Sequence, residues 1–382
     1  MRLLHFSSLF PNEQQPIHGV FVEQRLRHLL AGGEVSARVV APVPRLPWGG
    51  VRVAEREERH GLVIHHPPFW HLPGLGMWLA PWSMVMACQG LVQRLAEEQP
   101  FDIIDAHYFY PDGVAAAWLA RRLGKPLVIT GRGTDLNLLP NHALPRRLIH
   151  WAANQADAIV TVCQALQTPL LDMGIPAQKI TTLGNGVDGE LFTPIPHELA
   201  RQRLGITRPT LLMVGHLIER KNGPLVVEAL RLLPEVALLV VGEGPLGERL
   251  REMVGEYGLQ ERVTFVGRVA HEEMPLYYSA ADALVLASSR EGWANCLLES
   301  MACGTPVAAT DVWGSREVVS CEAAGVLIPA ITPEEIARCC RLVLERPAHR
   351  EATRAHALAH GWSATSAGQL KLFRQILGLP GR

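Results

Sequence analysis

Several broad classes are closed to this chain by what it lacks. Its 36 Lys and Arg nearly balance 37 Asp and Glu, so no charge excess recommends a nucleic acid as partner. Seven cysteines (88, 163, 296, 303, 321, 339, 340) contain no C-x-x-C pair, and an odd count argues against a disulfide framework. Reduced thiols in a cytosolic setting are expected instead. No uninterrupted apolar stretch reaches membrane-spanning length. The opening Met-Arg-Leu-Leu-His-Phe-Ser-Ser turns polar too soon for a signal peptide. Charged residues are few at 19% and hydrophobic ones reach 48%, a globular composition that excludes disorder. The 382 residues suit two domains of ordinary size.

The most informative stretch that is present runs over residues 288–311, from Ser288 to Asp311. Ala283 to Ala287 reads as a buried strand leading in. Asn295 suits a helix cap, and Leu297, Leu298, Met301 and Ala302 recur at helical spacing. Gly304 suits the C-terminal stop, Pro306 prevents continuation, and Pro306 to Thr310 reads as a second strand. This strand–loop–helix–strand unit is the crossover of a parallel sheet. Glu291 falls on the loop at a strand's C-terminal end, where open α/β sheets bind ligands. Glu299 follows within the helix. Backbone N–H groups near Asn295, Cys296 and Leu297 are expected to be open to an anion. Spacing alone equally allows a loop glutamate and a solvated helix glutamate.

Similar units repeat along the chain. Leu3 to Phe6 reads as an opening strand, followed by a polar loop and a helix opened by Gly19, where a ligand or neighbouring backbone approaches closely. Val35 to Ala41, Leu62 to His65, Asp102 to Ala106, Leu127 to Thr130, Ala158 to Val162 and Lys179 to Leu183 read as further strands, with 42–60 as loop. His107 follows Asp102 to Ala106 at its ligand edge. In the second half, Thr210 to Val214 ends in Gly215-His216 and continues to Arg220-Lys221, cations suited to a pyrophosphate before a helix. Gly242-Glu-Gly-Pro-Leu-Gly247 fits G-x-G-x-x-G after a strand, a weak signal for a dinucleotide because Glu243 charges the turn negatively. His356 and His360 have metal-compatible spacing without a third ligand in sequence, which reads as a solvated helix face. Residues 362–378 form an amphipathic helix.

Residues 69–86 are unusual. Three tryptophans and eight other apolar side chains, Leu75 among them, crowd there without an acid, lysine or arginine. Such a segment suits a buried wall between domains or an interfacial surface that meets lipid; the scarcity of cations favours burial.

Arg290-Glu-Gly-Trp-Ala-Asn-Cys-Leu-Leu-Glu-Ser-Met-Ala-Cys-Gly-Thr-Pro-Val307 resembles the Glu-x7-Glu signature of retaining GT-B glycosyltransferases of the GT4 family. Asn185-Gly-Val-Asp188 with Phe192-x-Pro194 is similar to the family's interdomain hinge, and Gly131-Arg-Gly-Thr-Asp135 to its Gly-x-Asp loop, with Arg132 where histidine is usual. The resemblance covers nearly the whole chain. It implies two Rossmann-like parallel-sheet domains facing a central cleft: an acceptor-binding domain over 1–190, a donor-binding domain over 191–360, and a tail helix over 361–382 returning to the first. It further implies transfer of a sugar from a UDP- or GDP-linked donor to a glycan or lipid-linked acceptor, with retention of configuration, in polysaccharide or cell-envelope synthesis. No metal or other cofactor is implied, and no Asp-x-Asp motif occurs. His107 and Glu291 would hold the transferred sugar and Glu299 the ribose. Gly19, Gly215, His216, Arg220, Lys221, Gly267, Arg268, Asn295, Cys296 and Leu297 would line the rest of the donor site. His216 replaces the family's arginine, and Arg220 is expected to supply the missing charge. A cytoplasmic enzyme is the expectation, with peripheral membrane contact through 69–86 as the other reading of that segment. A nucleotide-sugar epimerase or a hydrolase on the same fold is the alternative.

Overall fold

The computed structural model describes every residue except 47, 48, 50–52, 73–75, 347, 348, 381 and 382. The chain forms two compact units, one of Met1–Asn185 with Ser363–Arg382 and one of Gly186–Trp362.

The strands of the first unit are β1 (Arg2–Phe6), β2 (Ser36–Val40), β3 (Val43–Arg45), β4 (Arg56–Arg59), β5 (Leu62–His65), β6 (Pro68–Trp70), β7 (Ile103–His107), β8 (Leu127–Gly131), β9 (Ala158–Thr161) and β10 (Ile180–Thr182). Eight of them make one sheet in the order β10-β9-β8-β7-β1-β2-β5-β4, parallel except for the edge strand β4. The central strands β7, β8 and β9 are buried along their whole length. A parallel sheet covered on both faces demands such near-continuous apolar runs, which is why they stand out in sequence. β3 and the edge strand β4 lie within 42–60, expected as loop, and β6 runs into the tryptophan-rich segment; all three are three or four residues long and carry prolines or charge instead of apolar alternation.

The 23-residue helix Gly76–Glu98 contains Pro81. Proline lacks an N–H, so the carbonyl one turn earlier, on Met77, loses its helical donor. The Tyr110 hydroxyl donates to that carbonyl instead. Burial in this helix belongs to Ala80, Met84, Cys88, Val92 and Leu95. Trp78, Leu79, Trp82 and Met86 are exposed, so the expected buried wall does not form; Leu75 lies outside the described residues.

In the second unit β11 (Thr210–Val214), β12 (Ala237–Val241), β13 (Val263–Gly267), β14 (Ala283–Leu286), β15 (Val307–Thr310) and β16 (Gly325–Ile328) form an all-parallel sheet ordered β13-β12-β11-β14-β15-β16. The helix Asn295–Ala302 buries Leu297, Leu298 and Met301 beneath it. Ala294, not Asn295, holds the cap position, with no side-chain cap bond. At its other end Gly304 takes φ 82°, its N–H donates to Met301 O at 2.8 Å, and Thr305 N–H donates to Ser300 O at 3.0 Å. That paired closure is the Schellman stop that glycine makes inexpensive. His356 and His360 are tied into the protein, His356 Nε2 to the Val318 carbonyl at 2.8 Å and His360 Nδ1 to the His356 carbonyl at 3.0 Å, so theirs is not a solvated face.

The tail helix Trp362–Ile376 belongs to the first unit from Ser363 onward. Phe373 is fully buried there among Leu3, Leu29, Ile103, Val128 and Val160. Phe373→Ala is expected to lower first-unit stability by about 3–5 kcal/mol in urea unfolding, the usual cost of emptying a core aromatic site.

Candidate active site

Two clusters carry the expected residues, one in each unit. In the second unit they gather at the C-terminal ends of adjacent strands. β11 leads to Gly215, whose φ of 133° demands glycine, and a Cβ on Gly242 after β12 would fall 2.0 Å from the Gly215 carbonyl. The glycines of the G-x-G-x-x-G run thus let two loops approach each other. His216 Nδ1–H donates to the Glu243 carbonyl at 2.7 Å, and Arg268 beyond β13 pairs through Nε with the Glu243 carboxylate at 2.8 Å. Glu243 therefore organises both His216 and Arg268. With Nδ1 committed to that carbonyl, Nε2 is the ring nitrogen left for other partners.

The Glu291 carboxylate is buried after β14. Its Oε1 meets Lys221 Nζ at 2.6 Å and Arg220 Nη1 at 3.0 Å. Burial raises its pKa, but the two cations outweigh that and hold it below the ordinary carboxylate value. The loops are locked together as well: Asn222 Nδ2 donates to Ala287 O at 2.8 Å, and Ser289 N–H to Arg220 O at 2.8 Å. The positive end of the helix Asn295–Ala302 lies four residues beyond Glu291. Leu297 N–H is not open as expected, since it donates to Ala294 O at 3.0 Å. Glu299 accepts from the Tyr278 hydroxyl at 2.8 Å, with His271 Nε2 3.4 Å from its other oxygen. Burial lowers the His271 pKa, but the Glu299 carboxylate reverses this and leaves it raised. Tyr278 and His271 escape sequence reading because they sit in an ordinary short helix and turn before β14; their only signal is a Tyr pair and a His in an acidic run.

In the first unit His107 is buried, its Nε2 3.0 Å from Asp105 Oδ2 and its Nδ1 facing the guanidinium of Arg132. Arginine can only donate, so Nδ1 accepts and the proton resides on Nε2. Burial, reinforced by the Arg132 charge, pushes the His107 pKa well below normal and keeps the ring neutral. Asp105 Oδ2 also faces His5 Nδ1 at 3.3 Å and Gln369 Nε2 at 3.2 Å. Burial opposes its charge, but the histidines overcome this and depress its pKa. His5, Asp105 and His107 are metal-ligating types within mutual reach, yet Arg132 occupies the His107 Nδ1 position with a cation of its own. Arg132 is fixed by Asn185 Oδ1 at 2.9 Å, and Asp135 accepts from the backbones of Phe109, Arg132 and Gly133. A Cβ on Gly19 would lie 2.3 Å from the Leu9 carbonyl carbon, so the close approach there is by neighbouring backbone.

The loop after β1 is pinned by Asp112, which accepts from the Ser8 amide and, at 3.0 Å, from the Ser8 hydroxyl. Burial outweighs these bonds and pushes the Asp112 carboxyl up to about 7. Because this lies above the unfolded value of about 3.9, the folded state retains the proton longer. Stability is therefore full below about pH 4 and falls as pH rises through about 7, by roughly 4 kcal/mol at most. Asp112→Asn removes the titration. Its melting midpoint relative to wild type is expected to be higher at pH 8 than at pH 5.

Comparison with known proteins agrees with this arrangement. Residues 197–359 match the family described as glycosyl transferases group 1, and residues 24–191 match Glycosyltransferase Family 4. A D-inositol 3-phosphate glycosyltransferase of Frankia alni is 30% identical, covering 94% of this chain and 94% of its own. Another, from Catenulispora acidiphila, is 27% identical over 93% of this chain and 90% of its own. Among solved structures, sucrose-phosphate synthase of Thermosynechococcus elongatus superposes with a TM-score of 0.82 at 22% identity, covering 99% of both chains. Anabaena Alr3699/HepE in complex with UDP-glucose gives 0.75 at 22% identity, covering 98% of this chain and 99% of its own. With both sheets built on the same α/β plan as these structures and both halves matched by family models, the chain belongs to the GT4-type group 1 glycosyltransferases of GT-B fold.

Proposed function

We propose that this protein is a retaining glycosyltransferase that takes a sugar from a nucleoside-diphosphate sugar and passes it to a glycan or lipid-linked acceptor. The observation that carries the reading is the buried Glu291 carboxylate held between Lys221 and Arg220, beside a helix start and a second anchored carboxylate, Glu299. A leaving diphosphate needs positive charge close at hand, and Lys221 and Arg220 give this cluster a net positive charge. The neighbouring structure that contains UDP-glucose supports such a donor.

Glu299, fixed by Tyr278, accepts the ribose hydroxyls, because a carboxylate can take two such bonds at once. Glu291 accepts hydroxyls of the donated sugar while Lys221 and Arg220 turn toward the phosphates. His216 supplements them with one hydrogen bond to the donor through Nε2, and Gly267 with Arg268 borders the base. His107 is assigned to the transferred sugar, and Arg132 must release Nδ1 before that contact forms. Attack from the face that the leaving phosphate vacates retains configuration, and the positive charge comes from protein side chains. The acceptor belongs to polysaccharide or cell-envelope synthesis and is met at a membrane surface through 69–86.

Hydrolysis by paired acids is the weaker reading. Glycosidase carboxylates flank one bond, whereas Glu291 is committed to two cations and Glu299 to a tyrosine.

The test is a thermal-shift series with UDP- and GDP-sugars, since a ligand at about 100 times its Kd stabilises by about 2.7 kcal/mol. One donor is expected to raise the midpoint, and Glu299→Ala to abolish the rise; no rise with any donor would overturn the reading. With that donor and an acceptor panel that includes inositol 3-phosphate, Lys221→Ala is expected to lower kcat by about 10²–10³-fold. Sugar released into water or epimerised without an acceptor would favour the alternatives.

A further inference from the structure

Three helices of the first unit, Gly76–Glu98, Val114–Leu123 and Ala143–Gln155, pack side by side. On the first, Trp78, Trp82 and Met86 succeed one another every four residues and are 50%, 42% and 70% exposed. That spacing places them on one stripe. Trp82 meets Trp118 edge-on with ring centroids 5.1 Å apart, and Trp118 meets Trp151 at 5.3 Å. A row of indoles therefore crosses all three helices. Trp70 is tied to the first helix through its backbone N–H, which donates to Ser83 Oγ at 2.7 Å, and Arg45 lies over its half-exposed ring at 5.2 Å. Single exposed apolar residues are ordinary, but a contiguous patch of this kind marks a contact surface.

The charges that the second and third helices place beside it have one sign. Arg121 and Arg122 lie a turn beyond Trp118, and Arg146 and Arg147 about a turn before Trp151; all four are exposed. Glu97 and Glu98, at the far end of the first helix, are the only acids on the three helices. Two copies of this face would set arginine against arginine, which disfavours self-association. An anionic bilayer meets both features. Indoles settle at the level of the headgroups, and arginines beside them are neutralised by lipid phosphates.

We propose that this tryptophan–arginine face docks the protein peripherally on an anionic lipid bilayer. The proposal deepens the membrane contact stated above by extending it from 69–86 to the second and third helices and by naming the lipid. It is independent of the donor chemistry.

Vesicles of phosphatidylcholine with and without phosphatidylglycerol test it by co-sedimentation. Wild type is expected to bind the anionic vesicles at least tenfold better than the neutral ones. Trp78→Ser with Trp82→Ser, and separately Arg122→Glu with Arg147→Glu, should each weaken that binding at least tenfold while leaving the melting midpoint near wild type. Tryptophan fluorescence should be quenched by nitroxide-bearing lipid in wild type and much less in the tryptophan variant. Equal binding of wild type and variants overturns the proposal. So does failure to bind anionic vesicles, or a tryptophan variant whose only change is a dimer becoming a monomer. The nucleotide-sugar thermal shift, run on the same variants, separates the two readings: an intact shift without vesicle binding sinks the docking alone.

Discussion

Glu291 Oε1 is met by an ammonium at 2.6 Å and a guanidinium at 3.0 Å inside a buried pocket of the second unit. A carboxylate desolvated to this degree costs several kcal/mol unless it is paired, and removing one partner of such a pair typically costs about 3–5 kcal/mol. The loops that follow β11 and β14 are therefore bound to each other by electrostatic need as well as by backbone bonds. Strand order makes this possible. β11 and β14 are neighbours in the sheet although some seventy residues apart in sequence, so Lys221 and Glu291 emerge side by side. The same neighbour relation brings Gly215, Glu243 and Arg268 together from β11, β12 and β13.

The first unit answers a similar problem with a different inventory. Asp105 ends up among His5, His107 and Gln369, with Gln369 arriving from the C-terminal tail helix. Its charge fixes the proton of His107 on Nε2, and Arg132 takes the remaining nitrogen. Gln369 also accepts from Arg25 at 2.9 Å, so a buried arginine, the tail and the strand β7 share one network. The tail is thus held by polar bonds as well as by Phe373. An arginine in the Gly-x-Asp loop is intelligible in this setting: its fork bridges His107 and Asn185 at once, which a neutral histidine with its single N–H does not.

The tryptophan-rich segment shows where reading along the chain misleads. Within 69–86 there are no lysines or arginines, and that scarcity argues for burial. The cations exist, but they sit on helices 40 to 70 residues further on. Only packing brings Arg122 beside Gln89 and Trp118 beside Trp82. Pro81 likewise depends on packing, because the hydroxyl that relieves its missing hydrogen bond comes from Tyr110.

The sequence by itself determined the strands buried on both faces, since these need unbroken apolar runs that no solvated segment tolerates. It also determined the Glu291–Glu299 unit, because the helix stop at Gly304 and the strand after it are local signals read within a few residues. Tertiary structure alone decided which partners the site residues have. Tyr278 and His271 for Glu299, Arg132 for His107, and Arg220 with Lys221 for Glu291 are pairings between segments distant in sequence. Hydrogen bonds and ion pairs act over about 3 Å, and no periodicity along a chain reports which side chains come that close.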